Sequence, residues 1–512
     1  METNTVKPNK KSLISIRELK QYFPVRGRRG LFVKANDGIS LEIYEGETLG
    51  IVGESGCGKS TLGRSLLQLY KQTDGETIYY GRTLDSVAPL YALDIYKNLE
   101  KKCRMTKDDL VALENLETKY ADMEKSMGAT QDKEQLKLLY ALLNTKNELK
   151  KRVVSDYLAI VRLVGGFYVA KDFAEVSTAL VDYHRTTLII RGINERLDSI
   201  RLEMEEKKDD KPKFDALQKK LDTITNTTLA TAENERKQKQ SVVDSIRAKY
   251  KDDPEFQKYE AMRDDGIDLA RLKYNEMRHI RRDLQLIFQD PYSSLNPRLT
   301  VGQIISEGPI THKYFKSNNA RTQEYSMEVM ENCGLAPYMI HRYPHQFSGG
   351  QRQRIGIARA LAVKPRFVVC DEAVSALDVS IQSQIINLLQ DLKNKENLTY
   401  MFISHDLSVV KYISDRIAVM YLGNIVELCD AAEMFANPLH PYTEALLSAI
   451  PTTDVDHKKE MILLEGDIPS PVRPPKGCKF NTRCRDCLDI CLQVIPEWKE
   501  PTPGHFVACH KY

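Results

Sequence analysis

Gly53-Glu54-Ser55-Gly56-Cys57-Gly58-Lys59-Ser60-Thr61 follows the apolar run Thr48 to Val52 and precedes the helical stretch Leu62 to Tyr70. Strand, glycine-rich loop and helix in that order are the setting in which a G-x-x-x-x-G-K-S loop wraps phosphate. Its glycines (Gly53, Gly56, Gly58) let backbone N–H groups, those of Ser55, Cys57 and Thr61 included, turn toward oxygen. Lys59 can reach the β and γ phosphates, Ser60 can hold Mg²⁺, and the helix N-terminus adds a dipole that favours an anion. The loop by itself predicts a nucleotide phosphohydrolase or kinase and does not separate the two.

Composition narrows the surroundings of this loop. The chain has 512 residues, 42% of them hydrophobic, enough for two or three domains with ordinary cores. Its 74 Lys and Arg stand against 71 Asp and Glu, a net charge of +3 that gives no large field for nucleic acid. The first residues have no apolar h-region, and no run of about 18 apolar residues occurs, so the expectation is a soluble or peripheral protein.

Four segments follow from the texture of the chain. Residues 12–82 alternate short apolar stretches with turn residues and carry the loop. Residues 83–279 turn to long helical stretches rich in Lys, Glu, Asp, Leu and Met. Apolar residues there recur at the 3,4 spacing of a coiled-coil seam in Leu113, Leu116, Tyr120, Met123 and Met127, and again in Phe214, Leu217, Leu221 and Ile224. Breaks at Gly128, at Gly165 and Gly166, around Pro212 and at Pro254 predict helices folded back as hairpins. Residues 280–436 resume an α/β pattern, with strand candidates Leu284–Phe288, Phe367–Cys370, Tyr400–Ser404 and Ile417–Leu422. Residues 437–512 are rich in Pro and Cys.

The second α/β stretch carries further motifs in a fixed order. Gln289 lies in Leu286-Ile287-Phe288-Gln289-Asp290-Pro291, Ser348-Gly349-Gly350-Gln351 opens a helical run, and Asp371-Glu372 ends an apolar strand. Ser375-Ala376-Leu377-Asp378 comes next, and His405 follows another apolar strand. Together with the loop, this series resembles the ATP-binding cassette (ABC) ATPases. The resemblance implies a RecA-like P-loop α/β domain with a helical signature subdomain. It implies that Glu372 is the general base, that Asp371 holds Mg²⁺ with Ser60 and Gln289, and that His405 contacts the γ phosphate and positions the attacking water. It also implies that Ser348, Gly349, Gly350 and Gln351, with Asp378, act in trans on ATP held by a second subunit, and that an aromatic near the start, Phe23 or its neighbour Tyr22, stacks on adenine.

Four stretches narrow the resemblance to the oligopeptide/dipeptide (peptide/nickel) importers: Tyr22-Phe23-Pro24-Val25, the loop extended through Leu62-Gly63-Arg64, Phe288 to Arg298, and Asn437-Pro438-Leu439-His440-Pro441-Tyr442-Thr443. Leu62-Gly63-Arg64 resembles the F-type subunit. The partners so implied are a D-type companion ATPase, two integral membrane permeases and an extracellular or periplasmic peptide-binding protein, with the chain peripheral on the cytoplasmic face of the membrane. Cys478, Cys484, Cys491 and Cys509, spaced C-x5-C-x6-C-x17-C, resemble the cysteine-rich extension of that family, which implies a [4Fe-4S] cluster or alternatively zinc. Cys487 is an extra thiol.

A coiled coil within a cassette also describes DNA-associated repair and chromosome-maintenance ATPases. There the coil separates the Gln motif from the signature. Here the helical stretch precedes Gln289, and its 36 basic and 36 acidic residues make no basic stripe. No nucleic-acid partner is expected.

Overall fold

Thr48–Val52 is unbroken by charge, and all its residues are buried, as in a strand covered on both faces. A computed structural model describes residues 10–127, 133–208, 210–450 and 461–512 and places this strand, β3, inside an eight-stranded sheet. The spatial order is β11 (Lys499–Thr502), β12 (His505–Val507), β10 (Asn424–Asp430), β9 (Arg416–Tyr421), β3, β8 (Thr399–Ile403), β7 (Phe367–Asp371) and β6 (Leu284–Ile287). From β9 to β6 neighbouring strands are parallel, while β10, β12 and β11 extend the sheet antiparallel. Parallel order sends the carboxyl ends of β3, β6, β7 and β8 to one edge, where the predicted motifs begin.

A second, antiparallel sheet runs β2 (Phe32–Tyr44), β1 (Ser12–Pro24), β4 (Asp74–Tyr79), β5 (Ile267–Asp268). Apolar residues of both sheets, among them Ile14, Ile43, Ile51, Val369 and Met401, share one core with Leu62 of the helix after the loop. Each such side chain contributes about 1.5–3 kcal/mol on leaving water.

Helix α1 (Lys59–Leu66) starts directly on the loop. After β4 come α2 (Leu99–Met127), α3 (Lys133–Val164), α4 (Phe173–Glu206), α5 (Lys211–Thr223) and α6 (Ala230–Ala248). The expected breaks appear as a 3₁₀ turn at Gly165–Val169, Pro212 in the first turn of α5, and Pro254 opening a short helix; Gly128 lies outside the described residues. These helices have a core of their own, built from Leu99, Cys103, Val161, Phe167, Leu180, Ile246 and Phe256. The heptad positions are shallower than a coiled-coil seam needs: Leu113 is buried, but Leu116, Tyr120 and Met123 are half-buried, and α5 buries none of its residues. The chain rejoins the sheet at Ile267, opposite Tyr79, and Leu269, Met277 and Ile280 pack with the sheet core.

The root of the helices is polar. Arg162 of α3 is buried, donating to both Asp264 carboxylate oxygens (2.6 and 3.0 Å) and to the Tyr80 hydroxyl (2.9 Å), with Glu76 at 3.8 Å. Helices α7 (Val301–Thr311), α8 (Ala320–Asn332) and α9 (Gly349–Leu361) pack together over the other face of the main sheet. The far end of α4 touches them through Glu206 to Lys316 (2.9 Å) and Glu205 to Arg321 (3.2 Å).

Candidate functional site

The phosphate loop turns sharply because its glycines take left-handed φ: 147° at Gly53, 78° at Gly56 and 103° at Gly58. A Cβ at Gly53 would lie 2.1 Å from the Met420 carbonyl oxygen, and one at Gly58 2.1 Å from that of Ala35, so both positions exclude any side chain. Asn36 Nδ2 donates to the Gly58 carbonyl (3.1 Å). The buried Lys59 ammonium donates to the carbonyls of Gly53 (2.8 Å) and Glu54 (3.0 Å), at the mouth of the loop. Ser55 and Gly56 are exposed, Ser60 and Thr61 half-buried, and Cys57 is buried with its thiol pushed up by desolvation.

Beside the loop, β7 ends on Asp371, which is 1% exposed. Arg64 Nη2 of α1 donates to its Oδ2 (3.2 Å), whereas Oδ1 is buried with no hydrogen-bond partner. A buried carboxylate oxygen left unpaired next to a phosphate loop is the donor that a hard cation such as Mg²⁺ takes. Glu372 follows at φ 49°, its amide donating to the Ile403 carbonyl of β8 (3.0 Å). Gln289 Nε2 donates to Glu372 Oε2 (2.6 Å), and His405 Nδ1 lies 3.7 Å from the same oxygen. Three expected site residues from three strand ends thus meet at one carboxylate, beside Asp371.

Ser348 caps α9 through a capping box with Gln351 (3.4 and 3.2 Å), and Gly350 is pressed by Ile381 of α10 (Val379–Glu396). The helix grips the Gln289 segment: Gln353 donates to the Phe288 carbonyl (3.4 Å), Arg359 to that of Ser294 (2.6 Å), and the Arg352 guanidinium covers the Tyr292 ring at 4.0 Å. Gly349 is half-buried against Leu377. Asp378 begins α10 exposed.

Strand alternation separates the two candidate aromatics. The Tyr22 hydroxyl is bonded to Asp37, and its ring lines a cavity of about 800 Å³ between β1, α3 and the C-terminal segment, shared with Lys151 and Lys479. Phe23 packs edge-on against Tyr70 (5.3 Å), whose hydroxyl accepts from Arg64 (3.4 Å).

Sequence reasoning missed the C-terminal hold on the loop. Arg483 donates through both terminal nitrogens to the Glu54 carboxylate (2.8 and 3.0 Å), and the Glu54 amide donates to the Tyr442 hydroxyl (2.8 Å). Tyr442 lies in α11 (Pro441–Ser448), which is seated by Glu427: that carboxylate accepts from the amides of Leu439 and His440 and faces His505 at 2.8 Å. Burial pushes His440 down to about 4, leaving Nδ1 an acceptor for the Tyr442 amide (3.1 Å).

The expected metal cluster does not appear as a ligand set. The Cys478 amide donates to the Cys491 carbonyl (2.8 Å), and Cys478 and Cys484 pack against the core. Burial raises their thiols to about 12 and about 11, and Cys509 shifts the same way. All ten cysteines are free, and among the described residues no three His, Cys, Asp or Glu are placed to hold a metal ion. The four thiols still lie near one another, since Cys491, Cys509 and Cys484 each add to the upward shift of Cys478.

A family model described as ABC transporter matches residues 36–166 and 256–375, and one described as oligopeptide/dipeptide transporter, C-terminal region, matches residues 426–491. The chain is 34% identical over 514 aligned positions to the oligopeptide transport ATP-binding protein AppF of Bacillus subtilis (strain 168), covering 98% of each. It is 53% identical over 245 residues, 48% of this chain and 77% of the relative, to a Brucella ovis protein named for peptide import ATP binding. Among solved structures, a dimeric bacterial ABC transporter cassette matches at 16% identity and TM-score 0.42, over 82% of this chain and 99% of that one.

Proposed function

The chain belongs to the ATP-binding proteins of oligopeptide ABC transporters, and on that premise we propose that it hydrolyses ATP to power uptake of oligopeptides or dipeptides. The observation that carries the chemistry is the meeting of Gln289, His405 and Glu372 on one carboxylate oxygen beside the buried Asp371. Glu372 takes the proton of the attacking water, Gln289 holds its carboxylate, and His405 orients the water on the phosphate side. Lys59 and the loop amides bind the β and γ phosphates. Asp371, Ser60 and Gln289 would hold Mg²⁺, which supplies charge neutralisation on the phosphate oxygens. Phe23, tied through Tyr70 to Arg64, is the adenine platform.

Ser348 to Gln351 stand at the N-terminus of α9, where the amides and helix dipole suit a γ phosphate brought by a second subunit. We therefore read the working unit as this chain with a D-type companion, two membrane permeases and a peptide-binding protein. Among the described residues no helix is long and apolar enough to cross a membrane, and peripheral attachment at the cytoplasmic face fits that partnership. Peptide-transport relatives leave the DNA-associated alternative without support.

The same reading divides the chain into a cassette (12–82, with the part from Ile267 to 436), a helical insertion whose own core spans residues 92–256, and the cysteine-rich C-terminal segment. A [4Fe-4S] cluster there rests on the family resemblance and on four thiols in one short segment. Anaerobic protein with iron and inorganic sulfide supports it, and an iron-free preparation overturns it. Purification from detergent-solubilised membranes tests the whole assignment: two integral membrane subunits and a second ATPase are expected, and an active ATPase that brings down no membrane protein overturns the importer reading.

A further inference from the structure

Glu54 is held at all of its polar groups, by the C-terminal segment and from within the loop. Its amide donates to Tyr442, its carboxylate takes the Arg483 fork, and its carbonyl receives the Lys59 ammonium. Arg483 is suited to this: its side chain is 7% exposed, its amide closes a turn onto the Phe480 carbonyl (3.0 Å), and its guanidinium lies by the Tyr421 ring. Phe480 in turn packs against both Tyr421 and Tyr442, at 5.1 and 5.4 Å. The fork and the tyrosine hydroxyl therefore hold the loop together with the backbone of β2 and β9 that meets Gly58 and Gly53. A bidentate arginine–carboxylate pair fixes orientation as well as distance.

We propose that Arg483, with Tyr442, is a positioning residue for nucleotide binding: the C-terminal segment holds Glu54, and through its carbonyl sets where Lys59 presents its charge. This rests on the ATPase reading and adds that the cysteine-rich segment belongs functionally to the phosphate site. By linkage, nucleotide held by the loop stabilises the segment as much as the segment favours nucleotide.

The test is titration of the full chain with a fluorescent ATP analogue and Mg²⁺, with folding checked by thermal unfolding. Arg483→Met and Glu54→Gln each weaken binding about tenfold, and the double variant is no weaker than either single one, because one contact has been removed twice. Arg483→Lys recovers less than half of the loss, since an ammonium cannot reproduce the fork. In hydrogen exchange, nucleotide slows amides of residues 478–484 as well as 53–58 in the unmodified chain, and in Glu54→Gln only the latter. Wild-type affinity in folded Arg483→Met and Glu54→Gln, or losses that simply add in the double variant, overturns the proposal. If Arg483→Met does not fold, Glu54→Gln alone decides, because it leaves the C-terminal segment intact. Hydrolysis by the unmodified chain, assayed in parallel, tests the ATPase reading separately.

Discussion

The phosphate loop and helix α5 are held in opposite ways. The loop, Gly53 to Thr61, is short, with three glycines at left-handed φ, and is pinned by β2, β9 and the C-terminal segment. Helix α5 has thirteen residues and buries none. The loop's shape comes from contacts hundreds of residues away in sequence, whereas α5 owes its shape to local propensity, an Asp210 cap and a proline in its first turn. Where function requires atoms placed to a fraction of an ångström, the chain brings several distant elements together.

The contrast can be broken or sharpened by substitution. The largest expected effect is at the catalytic end: Glu372→Gln lowers phosphate release by about 10²–10⁴-fold while nucleotide still binds. Hydrolysis at the wild-type rate would remove Glu372 from the role of base.

Next comes Gly58→Ala, which sets a methyl against the Ala35 carbonyl at φ 103°. The backbone strain alone costs about 1–3 kcal/mol, and overlap adds to it, so nucleotide titration should show almost no binding. An alanine variant that binds normally would show the loop to be less constrained than its packing indicates.

The root of the helices titrates. Burial, with Asp268 close by, raises the Glu76 carboxyl from its ordinary 4.5 to about 7, although Arg162 stands 3.8 Å away, because that guanidinium spends its hydrogen bonds on Asp264 and Tyr80. A carboxyl raised by folding favours the folded state fully below about 4.5, and that contribution is lost as pH climbs through about 7. The loss is at most about 3 kcal/mol. Thermal unfolding between pH 5 and 8 should show the decline in the natural chain and a flatter profile in Glu76→Gln; identical profiles would contradict it.

The smallest effect is on α5, where Leu217→Ala at a half-buried position costs under about 1 kcal/mol by urea unfolding. A loss as large as that of a core leucine would mean that α5 is packed against something in the working protein.

Much of the candidate site was legible in the chain. The loop, Gln289, the Ser348 helix start, Asp371-Glu372 and His405 each stand at a strand or helix end that hydrophobic patterning marks, and their chemistry follows from residue type. The strands β3, β6, β7, β8 and β9 were readable because parallel strands covered on both faces are near-continuous apolar runs. The edge strand β11 and its short neighbour β12 were not: Lys499–Thr502 is exposed and polar, and only pairing with the rest of the sheet makes it a strand. Ile267–Asp268 is too short to carry a period, so the return of the chain to the cassette was placed at residue 280. The pairings of Arg64 and Arg483 were not legible either, since nothing local says that their partners lie at Asp371 and Glu54.

The sequence by itself determined the chemistry: a loop that binds phosphate, a carboxylate that can act as base, and the order of motifs that marks the family. Those depend on residue type and short spacing, which the chain carries in plain order. Tertiary structure alone decided which charges meet, where the helices root, and that the C-terminal segment grips the phosphate loop. Such pairings join residues up to 442 positions apart, as Lys479 and Asp37 are. Burial and geometry select them only after the sheet has formed.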